Sequence, residues 1–183
     1  MAAAVPEPPG NQCEIGGWSR DLSRRGLVVR AGPSAKSAET GRLQPIILYE
    51  GGLHSGRGVG FAIVEARNGW FRIQSIQTPA VVTEDGKPVD VEWRQSKIEG
   101  WIPGKAIFFV LQTFKGFAAP DPNSPVLFQS DDWYGPKDWL RVADCSGEWV
   151  QIAYGHPKRE KFAWFRGVCA MQETTCDGVK GDR

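Results

Sequence analysis

The chain has 183 residues, with 22 lysines and arginines against 21 aspartates and glutamates, so its formal net charge is +1. A nearly neutral chain argues against a protein that mainly binds nucleic-acid phosphates, and no apolar run approaches the roughly 20 residues of a membrane-spanning helix. Eight tryptophans and nine phenylalanines exclude a disordered chain, while 22 glycines and 13 prolines indicate many turns.

The first twelve residues predict an extended linker, because they contain Pro6, Pro8, Pro9 and Gly10. They hold no lysine or arginine and no long apolar run, so they do not match a secretory signal peptide. If the protein is exported, we expect its signal peptide to have been removed from this chain.

Short runs of β-branched and aromatic residues, interrupted by glycine and proline, follow along the chain, and helical periodicity is nearly absent. The runs predicted as strands are 27–30, 45–49, 59–65, 69–74, 100–102, 106–111, 126–129, 140–143, 148–153 and 162–165. Several of them alternate between apolar and polar residues, as half-buried strands do. The pattern predicts an all-β fold made of small barrels or a sandwich.

A weak internal repeat indicates a duplicated unit of strands. Trp70 and Trp101 begin two strand-like runs in the first half, and Trp149 and Trp164 lie in similar runs in the second. Residues 75–99 separate the first two runs and contain the turn sequence EDGKP between two further strand-like stretches. We therefore expect a hairpin inserted between two barrel strands.

The best candidate for a domain boundary is the stretch FKGFAAPDPNSP, which contains three prolines. It predicts a first barrel over residues 13–113 and an inter-domain linker over 114–125. A second barrel would then occupy residues 126–177, with a short tail at 178–183.

The run GLVVRAGPS at 26–34 resembles the bacterial SH3-like family, whose opening typically reads LNVRxGPS, although Val28 stands here in place of asparagine. The Gly-Trp pairs at 69–70 and 100–101 follow the same pattern. The second half looks like a degenerate copy, and the cysteine-bearing ends resemble those of tandem members from Gram-negative bacteria. The resemblance implies two small SH3-like barrels in tandem, the first with the inserted hairpin.

The resemblance also implies a non-enzymatic binding module of the bacterial cell envelope that recognises a cell-wall peptide or a protein partner. Its groove would lie between the long loop after Arg30 and nearby aromatic side chains. The candidate ligand-binding residues are Arg30, Tyr49, Trp70, Trp133 and Tyr134. Two other roles stay open, because Arg30 could brace the loop by bonding its carbonyls and Trp70 could fill a barrel core.

Four cysteines, Cys13, Cys145, Cys169 and Cys176, allow three pairings, and the sequence alone does not choose among them. Their spacings do not suit a zinc site, so neither a metal nor another cofactor is predicted. Two disulfides are favoured, with Cys145–Cys169 inside one barrel and Cys13–Cys176 joining the ends as the preferred arrangement. Disulfides imply an oxidising compartment, so the expected location is periplasmic or secreted.

Two alternatives to a binding module stay open. One is a structural scaffold or spacer without a small ligand. The other is a cysteine peptidase, because Asp144-Cys145-Ser146-Gly147 matches the nucleophile motif of papain-like cell-wall peptidases and His156 is the only histidine downstream. Against the peptidase, the run after Cys145 is patterned as a strand and not as a helix, and no third catalytic group is evident.

Overall fold

The computed structural model describes residues 10–49, 52–84, 87–131, 135–172 and 176, with the backbone alone at 48–49, 52–56, 81–84 and 87–91. Within these residues the protein is built from strands and one 3-10 turn at Gly104–Ala106, so the predicted all-β class is confirmed. The strands are β1 (Asn11–Ser19), β2 (Leu27–Arg30), β3 (Glu39–Leu43), β4 (Ile47–Tyr49), β5 (Gly52–Arg57), β6 (Gly60–Arg67), β7 (Trp70–Glu84), β8 (Lys87–Ser96), β9 (Gly100–Pro103), β10 (Ile107–Phe108), β11 (Val110–Leu111), β12 (Lys115–Phe117), β13 (Val126–Gln129), β14 (Trp139–Ser146), β15 (Trp149–His156), β16 (Arg159–Phe165) and β17 (Val168–Cys169).

The first half of the chain forms an antiparallel sheet in the order β10-β1-β6-β7-β9-β2-β3, with β8 paired to the outer part of β7. A tight turn sets the register of β6 against β7. Its two central residues, Asn68 and Gly69, have φ angles of 53° and 75°, which Asn-Gly adopts readily in a two-residue hairpin. As a result Phe71 and Ile73 point into the core and are fully buried.

The predicted insertion between the two Gly-Trp runs is confirmed. Strand β7 pairs with β9 over Trp70–Ile73, and beyond Ser75 it continues as one arm of a long hairpin with β8. Ser75 has a left-handed φ of 51° at the point where β7 changes partner. The hairpin register aligns Glu84 with Lys87, and both residues belong to the EDGKP sequence from which the hairpin was expected.

A second antiparallel sheet has the order β13-β12-β16-β15-β14 and lies in the second half of the chain. The stretch 114–125, predicted as a linker, contributes strand β12 to this sheet through pairing with β13 and β16. Both strand orders are open, and no closed barrel is found in the described part of the chain.

The two sheets share one hydrophobic core. Its buried side chains come from both halves, including Phe71 and Phe109 from the first and Val142 and Phe165 from the second. Gly104 packs so close to the carbonyl of Val142 that no side chain would fit there. Strand β11 also pairs with β17 across the halves.

Two disulfides are present, as predicted, but the predicted pairings are wrong. Cys13 is bonded to Cys145 and Cys169 to Cys176, with Cα–Cα distances of 5.6 and 5.9 Å. The start of β1 lies beside the β14–β15 turn, where Glu14 N donates to Gly147 O at 2.8 Å and Gly147 N to Gln12 O at 2.9 Å. Because this pairing places Cys13 next to Cys145, neither the Cys13–Cys176 nor the Cys145–Cys169 bond can form.

Candidate functional site

Arg30 ends strand β2 and braces the loop that follows it. Its Nη1 donates a hydrogen bond of 2.8 Å to the carbonyl of Ser37, and the loop closes on itself where Ala31 N donates to Ala38 O at 2.9 Å. This is the bracing role expected for the arginine of the motif, and it holds residues 31–38 in one position beside the sheet.

Trp70 begins strand β7 immediately after the Asn-Gly turn. It lies opposite Pro103 of β9, and Gly104 N donates to Gly69 O at 2.9 Å, so the turn and the end of β9 are tied together. Since Phe71 points into the core, its neighbour Trp70 points the other way and is half-buried.

Arg30 and Trp70 line one cavity of about 550 Å³, here called the Arg30 groove. Arg20, Asp21 and Lys105 supply its other charged side chains. The volume is within the usual range of small-ligand sites. The structure therefore brings together two of the five predicted ligand residues.

The Arg30 groove is cationic, since three basic side chains face one carboxylate. Arg20 is exposed and lies over the ring of Phe108, with its guanidinium carbon 4.7 Å from the ring centroid. Asp21 accepts a hydrogen bond of 2.8 Å from Ser23 N, while Lys105 is exposed on the 3-10 turn. Positive charge beside a half-buried indole suits an extended, anionic ligand with an apolar side chain.

The remaining predicted ligand residues are not placed in this groove. Tyr49 ends β4, and the structure describes only its backbone, while Trp133 and Tyr134 lie outside the described residues. The sequence reasoning missed Arg20 and Lys105. The Pro-Gly-Lys turn after the second Gly-Trp run is a local signal for Lys105, whereas Arg20 reaches the groove only through the long-range position of β1.

The structure does not assemble a cysteine–histidine pair from Cys145 and His156. The sulfur of Cys145 is bonded to Cys13, and His156 lies at the far end of β15, six residues beyond Val150, the strand partner of Cys145. At roughly 3.3 Å per residue this is about 20 Å. His156 Nδ1 instead accepts a hydrogen bond of 3.2 Å from Lys158 N.

A partly buried ion cluster lies on the first sheet, and none of its three side chains is among the described residues that line the Arg30 groove. Glu65 accepts hydrogen bonds from Arg67 at 2.9 Å and Arg72 at 3.0 Å, and its side chain is only 12% exposed. Burial opposes ionisation of Glu65, but the bonds from Arg72 and Arg67 outweigh it and hold its pKa below the ordinary value. Arg67 also lies over Trp101, so the cluster stabilises the sheet.

No family model matches the chain, and neither a curated protein nor a solved structure matches it. In the described residues no group of three or more histidine, cysteine, aspartate or glutamate side chains could hold a metal ion. No helix among them is long and apolar enough to span a membrane. The resemblance to the bacterial SH3-like family thus stays a prediction from the sequence motifs.

Proposed function

We propose that the protein is a non-enzymatic binding module of the bacterial cell envelope, similar to SH3-like domains, and that it recognises an extended peptide through the Arg30 groove. The observation that carries this proposal is the presence of Arg30 and Trp70 in the lining of one cavity. These residues belong to separate sequence motifs and lie 40 positions apart.

The charge of the Arg30 groove favours a ligand that carries carboxylates. Lys105 and Arg20 are exposed and can approach a bound anion, while Arg30 keeps the loop wall in place through its bond to Ser37. Trp70 offers an apolar surface against which a peptide side chain can pack. Cell-wall peptides with free carboxylates, or an acidic segment of an envelope protein, fit this chemistry.

The two disulfides support a location outside the reducing cytoplasm, either periplasmic or secreted. Disulfides persist in oxidising compartments and are rare where thiols are kept reduced. All four cysteines are bonded in the structure. The bond between Cys145 and Cys13 also argues against the cysteine-peptidase alternative, because it engages the sulfur that would act as nucleophile.

The proposal is tested by co-sedimentation of the purified protein with peptidoglycan, followed by anisotropy titration with a fluorescent peptide that carries free carboxylates. Trp70→Ala should weaken binding by about tenfold, as loss of a central aromatic contact does. Lys105→Glu should weaken it by about fivefold and reduce its salt dependence, because one favourable charge becomes repulsive.

Lys158→Glu is the matched control. Lys158 is also exposed, and the change alters net charge by the same amount, but it lies in the β15–β16 turn and does not line the groove. Equal loss with both lysine variants would show that binding follows overall charge and would contradict a site at the Arg30 groove.

The scaffold alternative is supported by one observation. Cys13 and Cys145 join the two sheets covalently, and the sheets share a core, as a rigid spacer would require. Absence of binding to peptidoglycan and to the acidic peptide, with the protein folded, would favour this alternative.

A further inference from the structure

A second and larger cavity, about 730 Å³ in volume, lies over the first sheet, and none of the described residues lines both it and the Arg30 groove. It is called here the Glu14 groove. Its floor includes the outward-facing Gly16 of β1 and Ala62 of β6, which are directly opposite each other in the strand pairing. The lining extends over Cys13–Gly17 and Gly60–Val64, which is about 13 Å along each strand.

Two distant segments form the walls of the Glu14 groove. The β7–β8 hairpin contributes Trp93, which is half-buried, together with the exposed Ser75 and Gln77. The segment after β17 contributes Met171, which is 59% exposed. Tryptophan and methionine are both enriched at the centres of protein–protein interfaces.

The C-terminal wall is fixed to the sheet. The side chain of Gln172 pairs with both backbone groups of Gly58: its Oε1 accepts from Gly58 N at 2.8 Å, and its Nε2 donates to Gly58 O at 3.0 Å. The disulfide between Cys169 and Cys176 closes the same segment into a loop. Two hydrogen bonds and a disulfide therefore hold this wall of the Glu14 groove in a fixed position.

The chemistry of the lining favours a peptide that is apolar and basic. Glu14 is exposed and is the one ionisable side chain among the described residues that line the groove. The amide of Gln77 and the hydroxyl of Ser75 lie along the same surface and can pair with a peptide backbone. A groove about four extended residues long, with two apolar rims and one carboxylate, matches a short extended segment that carries a lysine or arginine.

We propose that the Glu14 groove is a second binding site, which takes an extended apolar peptide segment with a basic side chain paired to Glu14. This site is independent of the proposed function of the Arg30 groove. It would let one molecule bind two peptide segments of opposite charge.

Gly60 provides a way to fill this groove without disturbing the sheet. Among the described residues, the atoms nearest to a Cβ built at Gly60 are Gln172 Nε2 at 3.7 Å and Gln77 O at 3.9 Å, both ordinary van der Waals distances. Gly60→Leu should therefore place its side chain in the cavity, while Gly60→Ala adds only a methyl group. The two variants therefore differ in how much of the cavity they fill, while the backbone should stay the same in both.

The test uses the full chain with both disulfides intact and three end-blocked, fluorescently labelled pentapeptides. One alternates valine and lysine, the second replaces lysine by glutamate, and the third replaces valine by serine. In a chain that carries Trp70→Ala and Lys105→Glu, which weaken anionic ligands at the Arg30 groove, the lysine peptide should bind at least about tenfold more tightly than the glutamate peptide. Glu14→Gln should remove most of that difference, and Gly60→Leu should weaken binding by about tenfold while Gly60→Ala does not.

Three results would overturn the inference: equal binding of the lysine and glutamate peptides to the Trp70→Ala, Lys105→Glu chain, unchanged binding of the lysine peptide in Gly60→Leu, or binding of decanoate without binding of the lysine peptide. The last result would identify a site for acyl chains. Lys105→Glu in the Arg30 groove should leave binding of the lysine peptide unaffected. Failure of this inference therefore shows in the lysine peptide, whereas failure of the proposed function shows in the acidic peptide.

Discussion

The two grooves differ in charge and in the way the chain builds them. Among the described residues, the lining of the Arg30 groove has three cations and one carboxylate and comes entirely from positions 20–106. The described lining of the Glu14 groove has one carboxylate and includes residues 170–172, far along the chain from β1. The Arg30 groove therefore depends on the first half of the chain alone. The Glu14 groove also depends on the contacts that hold residues 170–172 against the first sheet.

The largest expected effect comes from the disulfide that joins the halves. Replacing Cys13 and Cys145 by alanine should lower the free energy of unfolding by about 5 kcal/mol, because the bond closes a loop of 132 residues. Denaturant unfolding without reductant measures the change. A loss below about 1 kcal/mol would contradict it, since a loop of this length constrains the unfolded chain strongly.

A smaller effect on stability, but a selective effect on binding, is expected for the second disulfide. Cys169 and Cys176 are seven residues apart, so their replacement by alanine should lower stability by only about 2 kcal/mol. The same variant should weaken binding of the lysine peptide at the Glu14 groove and leave binding of the acidic peptide at the Arg30 groove unchanged. Equal loss at both grooves would show that the grooves are not built separately.

Short sequence motifs predicted those parts of the fold in which residues close in the sequence contact each other. The EDGKP sequence predicted the β7–β8 hairpin, and the motif around Arg30 predicted one wall of the Arg30 groove. The cysteine pairing could not be predicted, because it depends on β1 lying beside the β14–β15 turn. The Glu14 groove gave no sequence signal, since its wall is fixed by the contact of Gln172 with Gly58, 114 positions away.

Substitution of Glu65 tests how much the partly buried ion cluster contributes to the stability of the first sheet. Glu65→Gln should lower the free energy of unfolding by about 1.5 kcal/mol, because Arg67 and Arg72 lose a charged acceptor. Since the folded pKa of Glu65 lies below the unfolded value, its contribution is present above the unfolded pKa of about 4.3 and is lost as pH falls through the folded pKa.

Unfolding of the Glu65→Gln variant should therefore depend less on pH below about pH 5 than unfolding of the native chain. Glu92→Gln is the control, because Glu92 pairs with Arg94 at 3.4 Å on the surface, where both side chains are more than half exposed. That change should have an effect near zero. Equal effects of the two variants would show that the Glu65 cluster is screened by solvent and contributes no more than a surface pair.

The smallest expected effect lies between the two grooves, at Ser19. Ser19 is fully buried, its neighbour Arg20 lines the Arg30 groove, and its Oγ makes no hydrogen bond within the described residues. Ser19→Ala should raise stability by up to about 1 kcal/mol, because an unpaired hydroxyl is removed from the core. Thr113 is equally buried, but its hydroxyl bonds to Lys115, so Thr113→Val should lower stability by about the same amount. A loss of stability in Ser19→Ala, like that of Thr113→Val, would contradict this expectation. It would show that the Ser19 hydroxyl is paired with a buried water, so that a polar contact as well as packing holds β1 between the two grooves.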